Sequence, residues 1–281
     1  MDPISITPAV IAAYRFSDPR TEQLMHGLID HLHNWAREVG LTHAEWRAGL
    51  RFLSEAAAIT DASRNEFSLL SDVLGLSSLV DLLRSAPGAT PSSVLGPFHA
   101  HDSQPASLGA DLAGAQAGEP TLLVGRVLAV SGEPLAAEID FWQNADNGLY
   151  PAQDPSQDPH NLRCKLATDS EGHFHLRTLR PRPYSVPHDG PVGAMLRAAG
   201  RHSMRPAHFH LIVSAPGYEP VVTELFPDDD AYLAQDAAFG VRPALAVKFE
   251  RCDDPQEAAR AQMPVPFARV SYTFRLAPER G

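Results

Sequence analysis

Apolar residues in the first hundred positions recur at spacings of three and four, which is the period of an α-helix. The resulting stripes cover residues 20–39, 45–57 and 65–84. The second stripe follows Thr42 and Glu45, which have the spacing of a capping box. We interpret the stripes mainly as the core of a helical bundle, and the remaining positions as a surface for a partner subunit. The apolar positions are Leu24, Leu28, Leu32, Trp35, Val39, Trp46, Leu50, Leu53, Ala57, Phe67, Leu70, Leu74, Leu79 and Leu82.

After Pro120 the pattern changes to short segments that are rich in β-branched residues or alternate between apolar and polar positions, as strands do. No helical pattern separates them, and strands without intervening helices favour an antiparallel β-sandwich. Two long irregular stretches, residues 143–165 and 185–207, interrupt the series, and long ordered loops on a sandwich are usually functional. The predicted strands cover residues 122–130, 138–142, 172–179, 208–214, 221–226, 245–249 and 268–276.

Residues 86–120, between the two patterns, are rich in Pro, Gly, Ser and Ala, which is the composition of a connector. We therefore expect the domain boundary near residue 105. The expected fold class is α+β, mainly β, with a helical domain over residues 1–105 and an antiparallel β-sandwich domain over residues 106–281.

Charge and composition exclude several classes of protein. The 281-residue chain carries a formal net charge of −11, which disfavours a nucleic-acid partner. Its two cysteines, Cys164 and Cys252, do not make a disulfide framework, so a reducing compartment is the simpler interpretation. The sequence shows no signal peptide and no apolar run long enough to span a bilayer. We expect a cytoplasmic protein.

The segment Arg205-Pro206-Ala207-His208-Phe209-His210 carries the strongest chemical signal in the chain. Alternate residues of a strand point to the same face, so His208 and His210 would lie about 6–7 Å apart, which suits two imidazoles that bind one metal ion. The other interpretation is a pair of half-buried strand histidines. A second His-x-His pair, His173 and His175, follows a turn, and we interpret it as the exposed face of a strand.

Two tyrosines beside prolines, Tyr150 before Pro151 and Tyr184 after Pro183, strengthen the interpretation as a metal site. A phenolate is a hard oxygen donor with an unperturbed pKa of about 10, so it ionises near neutral pH only beside a strongly polarising cation. Ferric iron fits such a donor better than zinc, which usually takes imidazole, thiolate or carboxylate ligands. The two cysteines lie far from the paired histidines in sequence, so thiolate ligation has little support.

Several longer motifs, added to these residues, make nearly the whole chain resemble the intradiol ring-cleaving dioxygenases of the catechol and hydroxyquinol group. The resemblance implies a helical dimerisation segment followed by a catalytic sandwich, and an enzyme that opens 1,2-dihydroxybenzenes between the two hydroxyl groups with O2. The matching motifs are Leu95-Gly96-Pro97-Phe98, Asp140-Phe141-Trp142-Gln143-Asn144-Ala145, Asn161-Leu162-Arg163, Thr168-Asp169 to Gly172, Pro183-Tyr184, Gly200-Arg201-His202 to His210, Ser214-Ala215-Pro216-Gly217-Tyr218 and Phe239-Gly240-Val241.

The same resemblance implies one ferric ion, Fe(III), per subunit. Tyr150 and His208 would be its equatorial ligands. Tyr184 and His210 would be its axial ligands, and a solvent hydroxide would complete the coordination. Tyr184 would leave the metal when substrate binds and serve as a base for a substrate proton. Arg205 would face the substrate ring and stabilise the negative charge that develops during the reaction.

Within the group, the segments Leu69–Gly75 and Asp189–Gly193 look most like hydroxyquinol 1,2-dioxygenases. The implied reaction converts benzene-1,2,4-triol to 3-hydroxy-cis,cis-muconate, the enol form of maleylacetate. Asp72 would accept a hydrogen bond from the third ring hydroxyl, although a helix-surface aspartate is the simpler interpretation of that residue. The implied substrate pocket consists of Leu69, Asp72, Val94, Leu95, Gly96, Pro97, Phe98, Val186, Pro187, Arg205, Glu224 and Ala238.

The chain departs from the family pattern at Glu224, where catechol enzymes usually carry Gln and hydroxyquinol enzymes often carry His. Such a carboxylate would pair with Arg205 or oppose an anionic substrate. Ser203-Met204 and Cys164 also replace common family residues, so the exact ring substrate stays open. Catechol or chlorocatechol 1,2-dioxygenase, which gives cis,cis-muconates, is one alternative. A non-catalytic sandwich that carries a small aromatic or a lipid is another.

The expected partners follow from the resemblance as well. They are a small aromatic diol or triol, O2 and a second copy of the chain. A phospholipid at the interface of that homodimer is a further family property, for which the sequence itself supplies no separate signal.

Overall fold

The computed structural model describes residues 2–61 and 64–279. The chain divides into two compact units, Met1–Ala58 and Ile59–Gly281. This division lies well before the connector near residue 105, so the last part of the helical region belongs to the same compact unit as the strands.

Among its described residues, the first unit contains three helices: α1 (Ile6–Ala13), α2 (Pro19–Glu38) and α3 (His43–Ala58). The carboxylate of Asp18 caps α2 by accepting a hydrogen bond of 2.8 Å from the Thr21 amide. The predicted capping box is confirmed at α3, because the Thr42 amide donates to Glu45 Oε2 at 2.9 Å. In return, the Glu45 amide donates to Thr42 Oγ1 at 3.3 Å.

The apolar stripes of α2 and α3 lie on the surface of the chain. Leu28 is 51% exposed, Trp35 is 50% exposed and Trp46 is 51% exposed, and α2 has no buried residue among its 20. The interpretation of these positions as a bundle core within one chain is therefore wrong. Periodicity identifies an apolar face correctly but does not identify what covers that face.

The second unit opens with two helices, α4 (Glu66–Val73) and α5 (Leu76–Arg84). The sequence predicts one helix across this region. Gly75 interrupts it with a left-handed φ of +73°, a conformation that glycine adopts without steric cost. The Asn65 side chain caps α4 by accepting bonds from the amides of Phe67 and Ser68. Across the break, the hydroxyl oxygens of Ser71 and Ser77 lie 2.8 Å apart.

The rest of this unit is built mainly from short strands, with two further helices. Most predicted strands are confirmed to within two residues, but residues 245–249 form only a two-residue strand after a 3-10 turn. The elements are β1 (Pro105–Ala106), β2 (Pro120–Ala129), β3 (Glu138–Trp142), β4 (Arg163–Ala167), β5 (His173–Leu179), β6 (Tyr184–Ser185), α6 (Pro191–Ala198), β7 (Met204–Arg205), β8 (Phe209–Ser214), β9 (Val221–Pro227), β10 (Ala246–Val247), β11 (Glu250–Cys252), α7 (Pro255–Ala261) and β12 (Phe267–Leu276).

The long strands form two sheets, with strand orders β1-β4-β3-β8-β9-β10 and β11-β12-β2-β5. A separate two-stranded sheet joins β6 to β7. The expectation of a purely antiparallel sandwich needs correction, because β2 pairs with β12 in parallel, as do β1 with β4 and β9 with β10. Strand alternation alone does not carry the direction of pairing.

One apolar core lies between the two large sheets. Phe141, Phe209 and Leu211 from one sheet belong to the same buried cluster as Leu123 and Phe274 from the other. Side chains on alternate positions of each strand reach this core.

The same alternation places the second His-x-His pair, on β5, on the exposed face of the strand. His173 and His175 are exposed while their neighbours Phe174 and Leu176 are buried, which confirms the sequence interpretation.

The two stretches expected to be irregular contain regular elements. The first includes β4, and the second includes α6 and β7. The helix α6 is hard to recognise in the sequence because it contains Gly193, a residue that disfavours helices. Glycine is needed at this position, since a Cβ would lie 2.0 Å from the His188 carbonyl oxygen. No helix within residues 2–61 and 64–279 has both the length and the apolar character needed to cross a bilayer.

The packing around β2 can be tested by substitution of Gly125. A Cβ at this position would lie 2.3 Å from the Tyr272 carbonyl oxygen and 2.5 Å from a ring carbon of Phe174. We expect Gly125→Ala to lower the free energy of unfolding by about 1–3 kcal/mol, because backbone pairing prevents β12 from moving away. Urea denaturation measures the change. The control is Gly49→Ala on α3, where a Cβ meets nothing within 4 Å. An unchanged stability for Gly125→Ala would contradict the packing.

Candidate active site

The pairing register of three adjacent strands places Trp142, His210 and Glu224 side by side. Trp142 on β3 is opposite His210 on β8, and His210 is opposite Glu224 on β9. The indole of Trp142 stacks on the His210 ring, with centroids 4.7 Å apart and an interplanar angle of 6°. The stacked indole therefore fixes the plane of the His210 imidazole.

His208 lies immediately before β8, on the same side as His210. Its Nδ1 is 2.7 Å from the Pro206 carbonyl oxygen, which can only accept, so Nδ1 carries the proton. The Nε2 atom of a neutral His208 then carries a lone pair. Arg205 Nη1 lies 3.4 Å from this Nε2 and Nε2 of His210 lies 3.0 Å from it, and both histidine side chains are buried.

The two histidines stay neutral in this environment. Burial lowers the pKa of His208, and burial together with the neighbouring His208 lowers the pKa of His210 well below its ordinary value. Neutral imidazole is the form that binds metals, so the pair is prepared to donate to a cation.

Tyr184 and Tyr150 complete the cluster from two loops. Tyr184 on β6 pairs with Arg205 on β7, and its ring centroid is 5.5 Å from that of His208. The ring centroid of Tyr150 lies 5.5 Å from that of Tyr184 and 6.2 Å from that of His210. The structure thus brings all four proposed ligand side chains together.

The Asn144 side chain ties the two tyrosine loops to each other. Its amide nitrogen donates to the Arg182 carbonyl at 2.8 Å, and its oxygen accepts from the Arg182 amide at 3.0 Å. This pair of bonds spans the chain from just before Tyr150 to just before Tyr184. The two phenols are held in fixed relation although 33 intervening residues separate them in sequence.

The phenols are neutral in the absence of a cation. Burial, with the neighbouring Tyr184, raises the pKa of Tyr150 well above its ordinary value. Burial also raises the pKa of Tyr184 to about 12, against the attraction of Arg205. The buried Oη of Tyr150 has no hydrogen-bond partner within the described part of the chain. An unpaired buried hydroxyl is costly unless another group occupies its free side.

These observations fit a trivalent iron ion. A metal that binds two imidazoles at about 2.1 Å and at right angles separates the two nitrogens by about 3.0 Å, which agrees with the observed 3.0 Å between the Nε2 atoms of His208 and His210. Two phenols supply hard anionic oxygens once a strongly polarising cation draws off their protons. The unpartnered Oη of Tyr150 would find its missing partner there.

Glu224 offers a different third ligand, since one of its carboxylate oxygens lies within 4.8 Å of the ligand atoms of His208 and His210. Both of its oxygens are already engaged, however. Oε1 accepts from Arg205 Nη1 at 2.7 Å, and Oε2 accepts from Arg205 Nη2 at 2.9 Å and from Ser93 Oγ at 2.5 Å. The tyrosine oxygens are the freer donors.

Arg205 lies between two buried carboxylates. It donates twice to Glu224 and twice to Asp236, through Nε at 3.0 Å and Nη2 at 3.1 Å. Burial raises the pKa of Glu224, but the attraction of Arg205 outweighs burial and lowers it to about 2. The guanidinium has five N–H groups, so one N–H of Nη1 is left, and Nη1 lies 3.4 Å from His208 Nε2.

A cavity of about 800 Å³ lies beside the cluster, wholly within the second unit. Tyr184 and eleven of the twelve expected pocket residues line it; Glu224 does not, because it is fully buried behind Arg205. Sequence reasoning missed the polar wall from α4, α5 and the segment before them, although the Gly75 break signals it. The additional lining residues are Asp61, Arg64, Asn65, Glu66, Ser68, Ser71, Leu76, Ser77, Val80, Asp81, Ala152 and Gln153.

The polar wall contains two carboxyl groups, those of Asp72 and Asp81. Burial raises the pKa of Asp72, against a hydrogen bond from Ser77, and burial raises the pKa of Asp81 to about 6. Asp72 is thus a cavity residue, not a helix-surface aspartate. Its carboxyl group can accept a hydrogen bond from a hydroxyl group placed in the cavity.

Comparison with known proteins identifies two matching families. Residues 18–90 match the family described as the catechol dioxygenase N terminus, and residues 94–278 match the family described as dioxygenase. Together the two matches cover almost the entire chain.

Similar proteins carry related names. The 6-chlorohydroxyquinol 1,2-dioxygenase of Cupriavidus pinatubonensis is 44% identical over 259 residues, which is 90% of this chain and 93% of that protein. The structure of hydroxyquinol 1,2-dioxygenase from Pseudomonas putida DLL-E4 superposes with a TM-score of 0.90 at 42% identity and covers 99% of both chains. A catechol 1,2-dioxygenase of Candida albicans is 35% identical over 93% of this chain and 88% of that protein.

Asp81 predicts a dependence of stability on pH. Its carboxyl pKa is raised from 3.8 to about 6, so the stability it contributes is fully present below pH 3.8 and is lost as the pH rises through about 6. We expect Asp81→Asn to raise the free energy of unfolding at pH 7.5 by about 1 kcal/mol, allowing for partial exposure, and to have little effect near pH 4.

Urea denaturation across this pH range measures the effect. Asp253→Asn is the control, because the Asp253 side chain is 61% exposed. If wild type and Asp81→Asn showed the same slope of stability against pH, the assigned environment of Asp81 would be wrong.

Proposed function

Since this chain belongs to the intradiol ring-cleavage dioxygenase family, we propose that it cleaves benzene-1,2,4-triol, hydroxyquinol, with O2 to 3-hydroxy-cis,cis-muconate, the enol form of maleylacetate. The observation that carries the proposal is the cluster of two tyrosines and two histidines beside a cavity that Asp72 also lines. The names of the two relatives with more than 40% identity support the choice of substrate.

One ferric ion per subunit would be held by Tyr150, Tyr184, His208 and His210. Bound there, it would supply the chemistry that makes an aromatic diol reactive toward O2. The support from this chain is the pair of facing Nε2 atoms at 3.0 Å and the unpartnered Oη of Tyr150.

Tyr184 is suited to move a proton. It lines the cavity, and burial makes its phenolate a strong base with a pKa of about 12. A catechol hydroxyl is more acidic than that, so the Tyr184 oxygen would accept a substrate proton once it carries negative charge. The position of Tyr184 on β6, paired with β7, keeps this oxygen beside Arg205.

Arg205 would stabilise negative charge on the substrate ring. Its single remaining N–H belongs to Nη1, which lies 3.4 Å from His208 Nε2, and the residue lines the cavity. A fixed donor in a site that excludes water stabilises developing charge without having to reorganise.

The apolar and polar walls of the cavity would contact different parts of the substrate. Val94, Pro97, Phe98 and Val186 supply apolar surface for the faces of an aromatic ring. Asp72 lies on the polar wall and would accept a hydrogen bond from the third hydroxyl group of the triol. Catechol lacks that hydroxyl group and would leave the half-buried carboxyl group of Asp72 without this additional hydrogen bond, which disfavours its binding.

The exposed apolar stripes of α2 and α3 support a homodimer, with Leu28 and Trp35 about half exposed in the single chain. A phospholipid at that interface and a location in the cytoplasm are further parts of the proposal. Catechol or chlorocatechol is the second candidate substrate, supported by the catechol dioxygenase of Candida albicans at 35% identity.

The first test is colour and turnover. Protein loaded with Fe(III) should absorb visible light, because tyrosinate bound to ferric iron has a charge-transfer band, and should open hydroxyquinol faster than catechol or 4-chlorocatechol. Asp72→Ala should lower kcat/KM for hydroxyquinol by about 10- to 100-fold, the value of a hydrogen bond to a charged acceptor, and lower that for catechol much less. A colourless protein without ring-cleavage activity would refute the proposal.

The second test concerns the base. Tyr184→Phe should lower kcat by about 100-fold or more, the usual contribution of a positioned base, while the secondary structure measured by circular dichroism is unchanged. Tyr232→Phe, outside the cavity lining, is the matched control and should keep its activity. Wild-type turnover in Tyr184→Phe would rule out the role assigned to this phenol.

A further inference from the structure

Glu224 contacts both proposed histidine ligands without lining the cavity. Its Oε1 lies 3.5 Å from His210 Nδ1 and 3.3 Å from His208 Nε2. The Nδ1 atom of His210 is buried and forms no hydrogen bond to any described residue. If Nε2 of His210 binds a metal, Nδ1 carries the proton, and the Glu224 carboxylate is the acceptor nearest to it among the contacts of this residue.

Three hydrogen bonds from two residues fix the Glu224 carboxylate in place. Arg205 donates to each of its oxygens, and Ser93 donates to Oε2. The backbone closes over this arrangement at Gly240, where a Cβ would lie 2.5 Å from Arg205 Nη2 and 2.8 Å from Glu224 Oε2. The carboxylate therefore has no room to rotate away from the two histidines.

The charges of the buried cluster do not cancel. Arg205 carries one positive charge, and Glu224 and Asp236 carry one negative charge each, so one net negative charge remains in the interior. Two phenolates add two more negative charges when a metal is bound. Counting only these groups, before hydroxide or substrate joins them, a trivalent ion makes the cluster neutral, whereas a divalent ion leaves it negative, and net buried charge is costly.

We propose that Glu224 is a positioning residue of the metal centre: its carboxylate accepts the Nδ1–H of His210 and supplies the negative charge that makes the site neutral with a trivalent ion. This inference rests on the proposed function. Its consequence is a preference for Fe(III) over Fe(II), because one-electron reduction of the ion leaves an uncompensated negative charge in the interior.

The reduction potential of the bound iron tests the proposal. In spectroelectrochemical titration, Glu224→Gln should shift the potential to a more positive value, with the ratio of ferric to ferrous iron at a fixed potential falling at least tenfold, a shift of about 59 mV. Glu224→Asp keeps the charge and should restore most of the wild-type value. Arg205→Gln removes a positive charge from the same cluster and should shift the potential in the opposite direction, so either substitution alone gives a result.

Glu66→Gln is the control for loss of a buried carboxylate. Glu66 is fully buried and paired with Arg64 at 3.0 Å, and within the described part of the chain its contacts include neither histidine. This variant should leave the potential at the wild-type value even if it is less stable. A shift as large as that of Glu224→Gln would mean that the effect is not local and would overturn the proposal.

Three other outcomes overturn it. Equal potentials in coloured, active wild type and Glu224→Gln would refute the role of Glu224 while the proposed function survives. Loss of iron binding in both Glu224→Gln and Glu224→Asp would show that Glu224 is itself a ligand. A wild-type protein that binds no ferric iron would refute the proposed function as well, and its colour and turnover distinguish that case from the others.

Discussion

The site depends on one close approach inside the protein, the 3.0 Å that separates the Nε2 atoms of His208 and His210. Strand alternation puts both imidazoles on one side of β8, and two neighbours then set their orientation. The Pro206 carbonyl holds the proton of His208 on Nδ1, and the Trp142 indole holds the plane of the His210 ring. Two buried imidazole nitrogens at this distance need a cation or a proton between them, which is the physical basis of the metal assignment.

The electrostatics around this pair follow from burial. Desolvation lowers the pKa of both histidines and raises the pKa of both tyrosines, so all four groups are neutral until a cation arrives. The charged groups lie beside these four side chains, where Arg205 is paired with both Glu224 and Asp236. This arrangement separates the four proposed metal ligands from the charged groups that we propose adjust the properties of the metal.

Much of the fold and part of the site could be predicted from sequence because they rest on local patterns. The period of two in β8 predicted that His208 and His210 share a face, and the alternation in β5 predicted the exposure of His173. The roles of Tyr150 and Tyr184 came from motif resemblance, since no spacing rule brings two loops together.

Other features lie beyond local patterns. Ser93 contacts Glu224 across 131 positions and Asp236 contacts Arg205 across 31, and no periodicity reports such contacts. The prediction that the apolar face of α2 belongs to a core was wrong for the same reason, because the pattern shows an apolar face and not its partner. Anomalous diffraction at the iron absorption edge, from crystals of iron-loaded protein, tests the central claim most directly. The account predicts one peak within about 2.0–2.2 Å of Tyr150 Oη, Tyr184 Oη and the two histidine Nε2 atoms. A peak bound to the Glu224 carboxylate and to neither tyrosine would contradict it.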